Sequence, residues 1–313
     1  RLRTANPVCG VTIICVNSRF TCSGRLKVSP TTVTLTVSAS AMLSLSQLCV
    51  HTMTTKPWSL RECCENFAAA GIPHITIWRN VLEDIALEEA VKIVRDHPLS
   101  VTALCRGGFF PSVEASKRAE AIEDNKRAID QAAALGAPMV VLVCGADPGQ
   151  SLTESRRQIQ DGITELLPYA KEHGVKLAIE PLHPMYAGDR SAVSTLGQAN
   201  DMAEAFDSEW VGVAADVYHL WWDPDLEKEI KRCGAGGNLL AVHVCDWKTP
   251  TSDLLLDRGV MGEGCIPLKE IRRWVEAAGF DGPHEVEIFS STYWAEDQQD
   301  YLKRVVQAYR EHC

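Results

Sequence analysis

This sequence lacks several patterns that would assign it to a class of protein at once. Its 12 cysteines include no CxxC pair and no repeated spacing, which argues against a disulfide framework or a zinc-ribbon motif and favours free thiols in a reducing compartment. No run of 18 apolar residues occurs, so no transmembrane helix is predicted. No glycine-rich GxGxxG turn follows the first predicted strand, which weakens the case for a dinucleotide-binding fold.

Basic residues are scarce relative to acidic ones. The chain has 31 Lys and Arg against 41 Asp and Glu, a formal net charge of -10. Residues 1–41 hold five of the basic residues and no acidic one, so residues 42–313 have 26 basic against 41 acidic side chains, a charge of -15. Nucleic-acid binding relies on Lys and Arg to displace counterions from phosphates. The acidic body therefore argues against a nucleic-acid partner.

The first 41 residues differ in composition from the rest. They are rich in Ser and Thr and end in Ser-Ala-Ser-Ala before Met42. This composition resembles an organelle transit peptide, although upstream sequence translated from a misplaced start fits equally well. We therefore expect residues 1–41 to be a non-core extension and residues 42–313 to form the folded domain. A cytoplasmic location is expected, or an organellar one if the extension is a transit segment.

From Met42 onward, short apolar runs alternate with amphipathic helical stretches. An Ala-rich helix end, a Gly and a strand recur in the segments AAAGIPHITI and AALGAPMVVL, as expected where a left-handed glycine ends a helix. Strands that alternate with helices pair in parallel through crossover connections. Eight such units predict an α/β fold of the (β/α)8 TIM-barrel type in a single domain, in preference to a doubly wound open sheet. The predicted strands span 43–50, 73–78, 100–105, 138–144, 175–180, 211–216, 239–244 and 283–288.

Four ionisable residues occur at the ends of predicted strands five to eight: Glu180, Asp216, His243 and Glu287. Catalytic groups of TIM barrels lie at the carboxyl ends of the strands, where the loops converge. One acidic residue there could be a cap or a loop salt bridge. Four convergent groups, three of them acidic, would repel one another and would be costly to bury without a cation. The set therefore predicts a metal site.

The neighbouring positions add detail to this metal site. Two residues before the four predicted ligands, on the same inward face, lie Ala178, Ala214, Ala241 and Glu285. Glu285 could itself be the ligand, but Glu287 is preferred because it lies nearer the strand end. Three carboxylates and one imidazole favour Mn2+, with Mg2+ or Co2+ as alternatives. Two coordination positions would remain for adjacent oxygens of a polyol or hydroxy-ketone.

The same segments resemble a known family. LAIEPLHPMYAGDR, VAADVYHLWWDPDL, VHVCDWKTPTSDLLLDRGVMGEG and EVEIFS resemble the xylose isomerase-like TIM-barrel family of sugar phosphate isomerases and epimerases. The resemblance covers residues 42–313. It implies that the four strand-end residues bind a divalent metal, typically Mn2+, and that Glu180 and Glu287 are catalytic and move a proton. The implied reaction is the isomerisation or epimerisation of a ketose or sugar phosphate through a metal-stabilised enediolate.

Two further residues are assigned to substrate binding by this resemblance. His219, three residues after Asp216, resembles a family residue that holds the substrate, and a purely structural role is the alternative. Arg258 resembles an arginine that reaches a substrate oxygen or phosphate. The alternative for Arg258 is a salt bridge to Asp253 or Asp257.

Four other residues are candidates for the pocket by their position alone. His183 and Arg190 lie in the loop after strand five, and Arg106 follows strand three. The glycines at 107 and 108 would allow backbone and ligand to approach each other closely beside Arg106. Trp78 ends strand two and could stack on a sugar or plug the barrel mouth.

Other functions are compatible with the same fold. A dehydratase of an inosose or dehydroshikimate-like substrate would use the same enolate chemistry. An apurinic endonuclease would need additional histidines on the early strands, whereas strand three ends in Cys105-Arg106 and His74 lies at the wrong end of strand two. A non-catalytic sugar-binding protein would not need the whole ligand set. A small sugar or polyol substrate, a homo-oligomeric state and no membrane partner are expected.

Overall fold

The computed structural model describes residues 43–313 in full, together with the backbone of Thr12–Arg19 and Lys27–Thr34. The chain divides into two units, residues 1–42 and residues 43–313. In the first unit, the two strands pair antiparallel, from Thr12 opposite Thr34 to Arg19 opposite Lys27. Residues 1–41 are predicted to be a transit segment or upstream sequence. Apart from the two strands, these residues lie outside the described part of the chain.

The second unit is a closed barrel of eight parallel strands. Consecutive strands are neighbours, and the last strand pairs with both the first and the seventh, which closes the barrel. This confirms the predicted TIM barrel. The strands are β1 (Leu48–His51), β2 (His74–Trp78), β3 (Ser100–Gly108), β4 (Met139–Val143), β5 (Lys176–Glu180), β6 (Val211–Asp216), β7 (Leu239–Val244) and β8 (His284–Val286).

A helix follows each strand and packs its apolar face on the outside of the barrel. Hydroxyl caps begin several of them: the side chains of Ser59, Ser151 and Thr195 each accept a hydrogen bond from the backbone N–H three residues later. None of the helices in the described part of the chain is long and apolar enough to cross a membrane. The helices are α1 (Leu60–Ala69), α2 (Leu87–Arg95), α3 (Ala115–Leu135), α4 (Leu152–Glu172), α5 (Leu196–Ala205), α6 (Leu226–Ala235), α7 (Leu268–Ala277) and α8 (Gln298–His312).

Small side chains fill the barrel interior below its carboxyl end. Ala178, Ala214 and Ala241 are fully buried and pack with Ala103 and Cys105 in one interior cluster. This is the alanine layer that the period-two pattern predicts. Because methyl groups occupy so little volume, the larger charged side chains one layer above have room to point inward.

Two strand boundaries differ from the predicted ones by three residues or more. β1 begins at Leu48 instead of residue 43, because Leu45–Gln47 form a turn of 3-10 helix. β3 continues to Gly108, so Arg106 lies within the strand and not after it.

Gly108 explains the extension of β3. It has φ +102°, and a Cβ there would lie 2.0 Å from the carbonyl oxygen of Val143 on β4. Its N–H donates to Asn125 Oδ1 on α3 at 2.7 Å. The missing side chain therefore lets the neighbouring strand and helix approach the backbone closely. The expectation that this space serves the approach of a ligand is wrong.

Candidate metal centre

The four predicted ligands lie together at the carboxyl end of the barrel. Glu180 and Asp216 are the last residues of β5 and β6, His243 is the penultimate residue of β7, and Glu287 follows β8 by one residue. All four are buried, and each offers a donor atom within 4.8 Å of the others. Asp216 lies directly opposite His243 in the strand register. The register of adjacent strands thus brings together residues that are distant in sequence.

The donor atoms suit a cation. His243 Nδ1 lies 3.0 Å from Glu180 Oε1, yet neither atom has a hydrogen bond of good geometry with any described residue, and neither does His243 Nε2. Burial raises the pKa of Asp216 to about 7, although the neighbouring Arg258 acts in the opposite direction. Buried donors without partners, set among several carboxylates, fit a divalent ion better than they fit a salt-bridge network.

His243 responds to the same concentration of negative charge. Burial lowers the pKa of its imidazole, but the contact with Glu180 and the charges of Glu287 and Glu285 outweigh burial and raise the pKa to about 10. Its two ring nitrogens therefore lie in a field that attracts a proton or a metal ion.

Arg258 reaches into this centre. One of its guanidinium nitrogens, Nη1, lies 2.8 Å from Asp216 Oδ2 and 2.7 Å from Glu287 Oε2. The other, Nη2, lies 3.2 Å from His219 Nε2. Only 3% of Arg258 is exposed. The guanidinium thus supplies a fixed positive charge beside two of the proposed ligands.

The alternative of a salt bridge from Arg258 to its neighbours in sequence is wrong. Asp257 instead accepts from Lys248 Nζ at 2.9 Å, and Asp253 Oδ1 accepts from two backbone N–H groups of its own turn. These acidic residues organise the loop, and Arg258 is left to face the centre.

Asp246 holds the loop that carries Arg258. The segment Asp246–Trp247 pairs antiparallel with Arg258–Gly259, which returns the chain to the barrel mouth. The Asp246 carboxylate then accepts hydrogen bonds from the backbone N–H groups of Gly262, Gly264 and Ile266, at 2.9, 2.9 and 3.0 Å. This cradle fixes both ends of the short ribbon and so fixes the position of the guanidinium.

His51 is a site residue that the sequence reasoning missed. It ends β1, is fully buried, and its Nδ1 lies 3.1 Å from Glu287 Oε1 while its Nε2 lies 3.1 Å from Glu285 Oε2. Trp78 Nε1 also lies 3.1 Å from Nδ1, so the imidazole is enclosed by two carboxylates and an indole. The available signal was its position. His51 comes immediately after a predicted strand, and the four ligands lie at the ends of other predicted strands.

Glu285 lies one layer below the centre and has its own partners. It is 1% exposed and accepts hydrogen bonds from the hydroxyls of Thr76 and Thr102 as well as from His51. These contacts and the nearby His243 keep its pKa low against the effect of burial. Glu285 is thus satisfied by protein groups, and the geometry favours Glu287 as the residue that faces a metal ion.

We expect the substitution His51→Ala to weaken Mn2+ binding about 10- to 100-fold, since a side chain that orients a metal ligand typically contributes this much to affinity. Isothermal titration of chelator-treated protein measures the effect. His97→Ala is the matched control, because this half-buried histidine lies just after α2 and its ring is bound to the backbone carbonyl of Ile93. An unchanged affinity in His51→Ala would show that Glu287 needs no orientation by the imidazole.

A cavity of about 260 Å³ opens above the centre. Its wall includes Glu180, Glu287 and Arg258, and it also includes five of the six residues predicted to bind substrate: Trp78, Arg106, Arg190, His219 and Arg258. The sixth, His183, is not among the lining residues. It accepts a hydrogen bond from the Met185 N–H at 3.2 Å and lies against the rings of Trp222 and Trp247.

His219 and Trp78 show two ways of lining this cavity. Burial, together with the charge of Arg258, lowers the pKa of His219 well below its usual value, so its imidazole is neutral and can accept a hydrogen bond. Trp78 packs edge-on against Phe289 with 5.2 Å between ring centroids while its N–H is bound to His51. One residue offers a polar atom to the cavity, and the other offers an apolar surface.

Comparison with known proteins places this geometry in context. The model of the family described as xylose isomerase-like TIM barrel matches residues 64–306. The inosose isomerase of Halalkalibacterium halodurans is 26% identical over 226 residues, which cover 71% of this chain and 78% of that protein. The L-ribulose-5-phosphate 3-epimerase UlaE of Escherichia coli K12 is 28% identical over 215 residues, covering 66% of this chain and 70% of that protein.

Solved structures show the same architecture. Protein SMc04130 from Sinorhizobium meliloti 1021 superimposes with a TM-score of 0.84 at 48% identity, over 86% of this chain and 99% of that one. The IOLI protein, solved with a bound zinc atom, superimposes with a TM-score of 0.73 at 22% identity, over 84% of this chain and 99% of that one.

Proposed function

The chain belongs to the xylose isomerase-like TIM-barrel family, and on that premise we propose that it is a metal-dependent isomerase or epimerase of a ketose or sugar phosphate. The observation that carries the proposal is the cluster of Glu180, Asp216, His243 and Glu287, with donor atoms within 4.8 Å of one another at the floor of a cavity. The similarity to an inosose isomerase and to a ribulose-5-phosphate epimerase supports the same reaction class.

The four clustered residues would hold the metal. Their oxygen-rich donor set favours Mn2+, with Mg2+ or Co2+ as alternatives, and the zinc atom in the IOLI structure is compatible with a divalent ion in this fold. When bound, such an ion polarises a ketone and stabilises the enediolate that proton loss produces.

The proton is moved by carboxylates of this chain. Glu180 and Glu287 come from strands on opposite sides of His243, and both line the cavity. One carboxylate removes the proton next to the carbonyl, and the same or the other returns it. Return to the adjacent carbon gives an isomer, and return to the same carbon from the opposite face gives an epimer.

Other residues position the substrate and the base. Arg258 donates to Glu287 and, through Nη2, lies beside His219, so the pair can hold a substrate oxygen near the carboxylate. Trp78 and Phe289 offer adjoining ring surfaces in the cavity wall. These rings can cover the apolar face of a sugar and exclude water from the reacting carbons.

We also propose that residues 42–313 contain the whole catalytic apparatus, with residues 1–41 outside it. Among the residues that the structure describes, every member of the metal cluster and every lining residue of the cavity lies after residue 42.

The proposed function is tested by hydrogen exchange in D2O. The full chain is treated with chelator and incubated with a panel of ketoses and ketose phosphates, with and without Mn2+. We expect deuterium to enter at least one substrate only when Mn2+ is present, and the product to identify an isomerase, an epimerase or, if a hydroxyl is lost, a dehydratase. Metal binding without exchange on any member of the panel would contradict the substrate class, and absence of metal binding would contradict the centre itself.

A further inference from the structure

The cavity above the metal centre contains positive charges that the proposed reaction does not use. Lys56, Arg106 and Arg190 all line it, and within residues 43–313 none of the three forms an ion pair with a carboxylate. Each instead lies over an aromatic ring: Arg106 at 4.1 Å from the centroid of Phe109, Lys56 at 4.7 Å from Trp294, and Arg190 at 5.5 Å from Tyr186. The rings support these cations without neutralising them.

Some other arginines of this acidic domain are paired with carboxylates. Arg79, beside the same cavity wall, makes a bidentate pair with Asp124 at 2.8 and 2.9 Å, and Arg232 bonds to Asp201 and Glu204. By contrast, Arg106 and Arg190 line the cavity above the metal centre and have no carboxylate partner among residues 43–313, so their charge is available to an anion in the cavity.

Arg106 is also held in an unfavourable electrostatic environment. Burial lowers the pKa of its guanidinium, and the nearby charges of Arg190 and Arg79 lower it further. A half-buried arginine beside two other cations is stabilised when an anion binds between them. The cluster thus has the charge and partial desolvation of an anion site.

The cations come from three separate segments of the barrel. The metal ligands lie at the ends of β5 to β8, whereas Lys56 follows β1 and Arg106 belongs to β3. Arg190 follows the 3-10 turn after β5, where its carbonyl accepts from the Gly145 N–H at 2.8 Å and ties the turn to the end of β4. Lys56, Arg106 and Arg190 thus reach the cavity wall from the segments after β1, within β3 and after β5.

We propose that the substrate carries an anionic group, a phosphate or a carboxylate, which Arg106 and Arg190 bind while the carbonyl end reaches the metal centre. This inference rests on the proposed function and narrows its substrate class. The planar guanidinium groups can donate two hydrogen bonds each to tetrahedral or planar oxyanions. Lys56, which is exposed at the rim, adds charge that attracts the anion to the cavity.

The test compares substrates that differ only in the anionic group. A neutral ketopentose, its 5-phosphate and a ketose acid are assayed for Mn2+-dependent exchange in D2O with the wild-type chain, the double variant Arg106→Gln/Arg190→Gln and the control Arg157→Gln. Arg157 is exposed and pairs with Glu154 and Asp161 on its own helix. Far-ultraviolet circular dichroism checks that each variant is folded.

We expect kcat/KM of the wild-type chain to favour one anionic substrate over the neutral ketose, and the double variant to reduce this preference about 30-fold, the effect expected on losing a hydrogen bond between charged groups. The control should keep the wild-type preference. Preference for the phosphate or for the acid identifies the anion. A wild-type chain without preference, or a double variant that loses activity equally on all three substrates, would overturn the proposal.

A direct binding experiment separates this inference from the proposed function. If no ketose exchanges, the proposed function fails, and titration with inorganic phosphate then decides the anion site alone. Binding that weakens at least tenfold in the double variant and is unchanged in Arg157→Gln would support the site. Equal binding by all three proteins, or none, would reject it.

Discussion

Replacing Glu287 by glutamine is expected to lower kcat about a thousandfold, within the range that general acid–base catalysis usually contributes. Arg258 and His51 together contact both carboxylate oxygens of Glu287, and the charge of Arg258 above all lowers the pKa of Glu287 well below the usual value despite complete burial. The carboxylate is therefore ionised at neutral pH and able to accept a proton. An amide of the same shape keeps the packing but cannot accept the proton.

Two measurements separate proton transfer from metal binding in this variant. Titration with Mn2+ gives the affinity, and substrate exchange in D2O at saturating Mn2+ gives the rate of proton removal. Glu209→Gln is the matched control, because Glu209 is exposed and remote from the barrel interior. If Glu287→Gln kept more than a tenth of the wild-type kcat at saturating metal, Glu287 would not be the base.

Glu180→Gln distinguishes two routes for the proton. If one carboxylate both removes and returns it, the Glu180 variant should still exchange deuterium into substrate and form product. If Glu180 returns the proton, the variant should show exchange without product.

The ligand positions at the strand ends were predictable because the signal is local: a charged residue ends an otherwise apolar strand. An apolar strand that ends in a charged residue is unusual, and four of them in successive units can be read from the sequence. The barrel topology then requires the four ends to meet, as Glu180, Asp216, His243 and Glu287 do. The local sequence pattern and the known closure of TIM barrels were therefore sufficient to predict this cluster.

The contacts of Arg258 and His51 could not be predicted in the same way. Arg258 meets Asp216 and Glu287 across 42 and 29 residues, through a ribbon whose pairing depends on the Asp246 cradle. No periodic pattern encodes this pairing. His51 was missed because the predicted first strand was placed five residues too early at its start and one too early at its end.

Positions near a strand end were predicted less well than strand ends themselves. His183 follows β5 by three residues, but its ring nitrogen caps the next turn, and the residue is not among those that line the cavity. Arg106 does line the cavity, although the reason given for it was wrong, because Gly108 serves strand packing. Loop direction depends on contacts that form only in the folded barrel.

Replacing Arg258 by alanine is expected to lower the free energy of unfolding of the chelator-treated protein by about 3–5 kcal/mol, the usual effect of removing one partner of a buried ion pair. Asp216 and Glu287 both lose their nearest cation in this variant. Without it the pKa of Asp216 should rise further above its present value of about 7. Both folded proteins keep the Asp216 proton up to about pH 7, so the additional deficit of the variant should appear as pH rises above about 7, where only the wild-type carboxyl ionises.

Added Mn2+ should stabilise the Arg258→Ala variant more than the wild-type chain, because the ion supplies the positive charge that both carboxylates have lost. Denaturant unfolding of each protein with chelator and with saturating Mn2+ gives the four free energies that are compared.

Arg258→Lys is the matched variant: it keeps a positive charge but not the planar group that contacts two carboxylates and His219 at once, and its deficit should be intermediate. Arg157→Ala, which removes an exposed pair, should cost less than about 1 kcal/mol with or without metal. If Mn2+ stabilised the wild-type chain and Arg258→Ala equally, the guanidinium and the metal would not share Asp216 and Glu287, and Arg258 would act on the substrate alone.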